Sequence, residues 1–315
     1  MRAREQLVKS LQALIYHVDS GGIQDTALPG TPAAEAIRLL KNGLSVTAFA
    51  CFEHFIRSRI TELLELVSTA KNLPPFQELP EGLQLAATKG AVDALKARLN
   101  MRNELMDTAT IVSLAQAHAI AIASSRQMPY GFSEWSFGWS SSNIGPGVLQ
   151  DFLGACGAKH LYGEIGPLLK DVSFDYSAVG LAEGSALKLA RIASWRHEAA
   201  HDATISIDIE LLRTRIVTYL AIALAFDVLA SLAVQHLING FIAPQVGMAT
   251  RSAVGLKQLL PASVQLELQD MNGSPIQQFY SVDHCRDQFG NLDTPRNSAV
   301  VVRDTQGQIA DWFFC

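Results

Sequence analysis

The sequence predicts a mainly α protein with a small C-terminal antiparallel β domain, and three observations carry that prediction. Up to about residue 240, apolar residues recur three and four apart over long runs. Beyond Pro244 the texture changes to short β-type runs. Between pairs of those runs stand Asn272-Gly273 and Gln306-Gly307, dipeptides that favour tight hairpins. The expected organisation is an all-α domain at 1–240 and a small β domain at about 255–315.

Residues 1–19 carry an amphipathic helical pattern, and the loop DSGGIQDTALPGTP follows it, closed by Pro29-Gly30. A long helix is expected from Ala33 to roughly Thr69. Its apolar face runs through Leu40, Leu44, Thr47, Ala48, Cys51, Phe55 and Ile56, and Pro74-Pro75 ends it. Helical segments follow at about 82–98 and 104–124. The breaker-rich loop after them holds Trp135, Phe137 and Trp139, which would either stack unpaired bases or pack as a plug over the helices. A short helix is read at 147–157, a longer one at 178–201 and the last long helix at 207–239, stopped by Asn239-Gly240. The strand candidates are 263–269, 276–282, 298–304 and 308–314.

Composition narrows the function. A net charge of -5 gives no global attraction to nucleic acid, so any phosphate contact must come from a local cluster of cations. Hydrophobic residues make up 49% and charged residues 17%, an apolar balance that leaves room for a partner-covered surface. Cys51, Cys156, Cys285 and Cys315 are widely spaced, form no CxxC pair and read as reduced thiols of a cytoplasmic protein. The N-terminal helix pattern is broken by polar residues and is not that of a signal peptide. One stretch, residues 216–234, has the length of a membrane span, but Asp227 stands at its centre and no second span accompanies it. It is read as a helix buried in the core or in a subunit interface, with no membrane involved.

The chemistry concentrates in residues 194–203, SWRHEAAHDA. His197-Glu198-Ala199-Ala200-His201 spells H-E-x-x-H, in which two imidazoles four apart face one zinc ion and the glutamate activates a bound water. A third ligand is needed. Thr204 and Ile207 stand where the extended motif would carry glycine and histidine, and Glu210 and Asp227 are poorly placed substitutes. The same letters give Arg196 and His201 as R-x4-H. RNA cleaves itself when a 2'-hydroxyl attacks the adjacent phosphate. A histidine that moves the proton and an arginine that holds phosphate oxygens suffice, without metal or cofactor.

Several segments around the motif resemble the HEPN superfamily of α-helical nucleases, most closely its RiboL-PSP-type branch. They are Arg196 to His201 themselves, the preceding LKLARIASW with the long apolar helix after the motif, and LLKNGLSVTAFACFEHFIRSRI with its inward Glu53. The fourth is SSSNIGPGVLQDFLGACG. Together they span most of residues 35–238. The resemblance implies a HEPN-like helical bundle and an endoribonuclease in which Arg196 and His201 are the catalytic pair. His197 would be a supporting polar residue and Glu53 a residue that orients the arginine. It also implies a homodimer in which two copies of the motif face one cleft. That dimer answers a geometric problem, because residues five apart lie about 140° apart round one helix. Such proteins are toxins or anti-phage defence effectors, which implies an RNA substrate and an antitoxin or defence partner. A zinc hydrolase and a non-catalytic HEPN binding module are the alternatives. Arg57 and Arg59 would extend a phosphate-binding strip or lie solvated. His54 would sit near the site or pack elsewhere.

Overall fold

The computed structural model describes residues 2–21, 23, 28–70, 75–102, 107–124, 132–133, 136–137, 146–156, 161–172, 185–202, 204–239, 254–289 and 298–315. The chain is mainly helical with a small C-terminal sheet. The helices are α1 (Ala3–Asp19), α2 (Pro32–Thr69), α3 (Glu81–Leu85), α4 (Ala91–Arg102), α5 (Thr108–Ser124) and α6 (Pro146–Ala155). They continue as α7 (Leu161–Asp171), α8 (Ser185–His201) and α9 (Ile209–Ile238). Trp135, Trp139, residues 178–184, residues 104–106 and the stop at Gly240 all lie outside the described residues.

Two compact units form. One holds Met1–Phe55, Tyr162–Val228 and Val254–Cys315, and the other holds Ile56–Leu161 and Leu229–Ala253. In the second unit, Arg59 pairs with Glu62 at 2.9 Å and donates to Ser231 at 3.0 Å. Those bonds tie it to its own helix and to α9 instead of leaving it in a phosphate strip. Gly82 meets α6 there so closely that an added Cβ would stand 3.1 Å from the Cα of Ala155.

The first unit contains the sheet. Its strands are β1 (Gly255–Pro261), β2 (Leu266–Asp270), β3 (Pro275–Phe279), β4 (Ser298–Arg303) and β5 (Ile309–Phe314), and a helix α10 (Val282–Phe289) follows β3. The spatial order is β3-β2-β1-β4-β5. Three pairings are antiparallel, but β1 and β4 run parallel, which corrects the expectation of a purely antiparallel sheet. The cause is α10: the expected strand at 276–282 stops at Phe279, and the chain crosses over a helix to reach β4. Both anticipated hairpins form, with Gly273 and Gly307 at φ of +86° and +76°.

Both faces of the sheet are covered. Leu259, Leu268, Phe279, Val300, Val302 and Phe313 pack with Cys285 of α10. On the other face, Trp312 meets the ring of Phe55 edge-on at 6.2 Å and donates its indole N–H to Asp227 at 2.8 Å. That is why β4 and β5 read as nearly unbroken apolar runs. β5 is an edge strand, and α1 covers it: Gln12 donates to the Ala310 carbonyl at 2.8 Å and Arg4 to that of Trp312.

α9 is the core helix. Every residue from 215 to 234 is buried, including Thr218, Asp227 and Ser231. Its hydropathy is satisfied by protein on all sides, and its one central charge is met by Trp312. The same burial removes this helix as the surface a second copy of the chain would meet, so the interface role read for 216–234 is corrected.

Candidate functional site

The R-x4-H segment occupies the last two turns of α8. Ile192, Trp195 and Ala199 are buried and form the face that roots the helix. The helix stops at a turn built by Asp202, whose carboxylate accepts from the Thr204 amide at 2.9 Å and from its hydroxyl at 2.6 Å. Those bonds, the hydroxyl first, hold the Asp202 carboxyl below its ordinary range. The connection is pinned from α2, where Asn42 donates to the Ile205 carbonyl at 3.1 Å. Asp208 then opens α9, accepting from the Glu210 amide at 3.1 Å. His201 is therefore the final residue of a helix that is rooted by its buried face and closed by a hydrogen-bonded turn.

Of the residues singled out from sequence, His197 and His201 come together. Both are exposed, and their ring centroids lie 4.5 Å apart. Arg196 is half-buried, and its guanidinium forms no side-chain hydrogen bond or ion pair among the described residues. It stands on a different side of α8 from His201, as the helical repeat requires. Glu53 is half-buried on α2, next in sequence to Phe52. His54 is exposed and lines a small cavity of about 250 Å³ with Gln6, Ser10 and Cys51. Asp227 lies in the core, bonded to Trp312, and among the described residues no third His, Cys, Asp or Glu completes a metal-holding group with the two histidines.

Sequence reasoning missed what lies under the motif. Arg215 of α9 is only 7% exposed, with its guanidinium carbon 5.1 Å from the Trp195 ring centroid and Nη2 3.7 Å from Glu198 Oε2. Tyr219, one turn further along α9, is fully buried. It takes the edge of Trp195 at 6.2 Å and stacks on Phe52 at 5.6 Å. Burial lowers the Arg215 pKa and pushes the Tyr219 hydroxyl well above the usual phenol range. Nε and Nη1 of Arg215 and the Tyr219 hydroxyl find no hydrogen-bond partner among the described residues. The sequence did not single them out, because Glu210, Arg213, Thr214 and Thr218 stand beside Arg215 and Tyr219 in the first turns of α9. An open cleft of about 820 Å³ also lies at the start of α2, lined by Thr31, Glu35, Arg38 and Lys41, and by Ser206 from the connection that follows the motif. There Arg38 is held by Glu35.

The geometry presents two imidazoles to solvent on one side of a well-anchored helix end and, on a different side, an arginine with no hydrogen-bond or ion-pair partner among the described residues. Compared with known protein families, with characterised proteins and with solved structures, the chain has no significant match in any of the three.

Proposed function

We propose that this protein is a metal-independent endoribonuclease of HEPN type, cytoplasmic and homodimeric, acting as a toxin or an anti-phage defence effector. The observation that carries the proposal is the state of the R-x4-H segment. It ends a rooted helix, with His197 and His201 in solvent and the Arg196 guanidinium without a hydrogen-bond or ion-pair partner among the described residues. In this reading Arg196 binds the scissile phosphate and stabilises the charge that grows on it. His201 moves the 2'-hydroxyl proton or protonates the leaving 5'-oxygen, and His197 supports it. Glu53 orients the arginine. Because Arg196 and His201 diverge on one helix, each reacting phosphate takes its groups from two copies of the motif. The buried state of α9 directs that pairing to the exposed end of α8. An antitoxin or defence partner would act by covering that same end.

The zinc reading has one observation on its side, the closeness of the two rings. Two others weigh against it: the pairing of Glu198 with Arg215 and the want of a third ligand among the described residues. The donor set does not fit a catalytic zinc, and no step is assigned to one.

The test is cleavage of end-labelled RNA in excess EDTA by wild type, Arg196→Ala and His201→Ala. The proposal expects the wild type to leave 2',3'-cyclic phosphate ends and both variants to lose at least about a hundredfold in rate. Activity that needs added zinc, or that survives either substitution, would overturn it.

A further inference from the structure

Neither reading of the motif accounts for the arginine beneath it. We infer that Arg215 is the positioning residue of the site: from α9 it holds the last turns of α8, through Glu198 and the ring of Trp195, at the rotation that presents Arg196 and the two histidines. The inference rests on the ribonuclease reading.

The contacts alternate with the functional residues. Trp195 immediately precedes Arg196, and Glu198 immediately follows His197. Round a helix, residues 195 and 198 share about a third of the circumference, Arg196 takes another third, and His197 with His201 take the last. Gripping the first third therefore fixes the direction of the other two. The grip comes from one side chain, whose guanidinium carbon lies over the indole 5.1 Å from its centroid and whose Nη2 stands 3.7 Å from the carboxylate. A guanidinium does both at once, and an ammonium does not.

Arg215 is committed to this task. A buried guanidinium demands compensation. With Nε and Nη1 lacking partners among the described residues, the groups that face it are Tyr219 on its own helix and, on α8, Glu198 and the Trp195 ring. Tyr219 backs the same indole from below and joins it to Phe49 and Phe52 of α2. Rotation or fraying of α8 would expose the arginine's charge to an uncompensated interior, so the cost of burying Arg215 resists movement of the motif.

The experiment compares wild type, Arg215→Met, Arg215→Lys and Glu198→Gln by steady-state RNA cleavage, by melting temperature, and by NMR titration of the His197 and His201 ring protons. We expect Arg215→Met to lose roughly tenfold to hundredfold in kcat with KM nearly unchanged, to remain folded at the assay temperature, and to shift both histidine titrations. Arg215→Lys should recover only part of the loss, and Glu198→Gln should fall between the two. Should Arg215→Met fail to fold, Arg215→Lys carries the test through the same kcat and NMR readouts. Wild-type kcat and unmoved histidine titrations in a folded Arg215 variant would overturn the inference and leave the ribonuclease reading standing. Absence of cleavage by the wild type would instead overturn the ribonuclease reading. The histidine titrations then decide the geometric claim alone, and unchanged titrations in Arg215→Met sink it.

Discussion

Asp202 and Asp270 do the same work in two places. Asp202 closes the turn after the motif, accepting from the amide and hydroxyl of Thr204. Asp270 closes the β2–β3 turn, accepting from the amides of Asn272 and Ser274 at 2.9 and 2.8 Å. In each case donors to the ionised form lower the carboxyl pKa, with the Thr204 hydroxyl leading for Asp202 and the Ser274 amide for Asp270. A folded pKa below the unfolded one adds stability that is fully present above the unfolded value. It is lost as pH falls through the folded value, so the window lies below about pH 4. Urea titrations of wild type, Asp202→Ala and Asp270→Ala check this. At pH 7 each variant should unfold at lower urea than wild type, and the gap should close as pH drops towards about 2. A gap that persists unchanged at acid pH would show that the carboxylate charge is not what holds these turns. On the proposed ribonuclease reading, the loss of Asp202 should also fray the turn that follows His201 and lower cleavage at neutral pH without changing which RNA ends are formed.

Among the elements, the turns at Gly273 and Gly307 set the sheet's register. At φ of +86° and +76° both occupy the left-handed region, where an L side chain costs about 1–2 kcal/mol, and neither has a neighbour that an added Cβ would strike. Gly307→Ala and Gly273→Ala should therefore each destabilise by about 1 kcal/mol through the backbone alone, read as a shift in the denaturation midpoint with an unchanged slope. These turns were legible in the sequence because only a few residue pairs make them. α8 was legible because its buried positions Ile192, Trp195 and Ala199 repeat with the helical period. Leu40 and Thr47, read as part of the apolar face of α2, are exposed, and α9 is buried on every side from 215 to 234; those two helices were legible from their long apolar runs. α7 was not. Gly163, Gly166 and Pro167 read as breakers, yet Ile165, Leu168 and Leu169 bury one face, and tertiary packing outweighs propensity there. β1 was missed because its central residues are polar for a tertiary reason: Gln258 accepts from Arg303 at 3.0 Å, a residue far along the chain. α10 was hidden by its brevity and its single buried residue, Cys285. The same limit explains the site. Arg196, His197 and His201 could be named from spacing, but the Arg215 grip joins residues on two helices and has no spacing to read.

At the scale of the whole molecule, the C-terminal strands are structural partners of the helices in their compact unit. Trp312 is the clearest case, since its ring packs on Phe55 of α2 and its indole N–H meets Asp227, the one acidic residue in the buried middle of α9. Around it, Arg4 bonds the Trp312 carbonyl and pairs with Asp311 at 3.7 Å, while Arg286 bonds Asp311 at 2.8 Å from α10. Burial raises the Asp311 pKa, and the two arginines oppose that rise. Arg4 Nη2 and Arg286 Nε are buried without a partner among the described residues, so losing the indole donor would add to polar groups already unmet in this network. Trp312→Phe keeps a ring against Phe55 but leaves Asp227 one donor short in a buried site. The expected cost is about 2–3 kcal/mol, or roughly 3–5 °C in Tm for a chain of this size. Trp312→Phe combined with Asp227→Leu should recover part of the loss, because the acceptor goes with its donor. Calorimetry also tests how far the sheet is bound to the helices. If Trp312 joins them energetically, the Trp312→Phe transition of that unit moves as a whole. An early melt of the sheet, with helical signal retained at its wild-type Tm, would show that the indole bond fastens only the strands. The site helix α8 belongs to the same unit and packs on α9 through Trp195. A transition that moves as a whole therefore predicts, on the proposed ribonuclease reading, that Trp312→Phe lowers the temperature at which RNA cleavage is lost, by the same margin as the Tm.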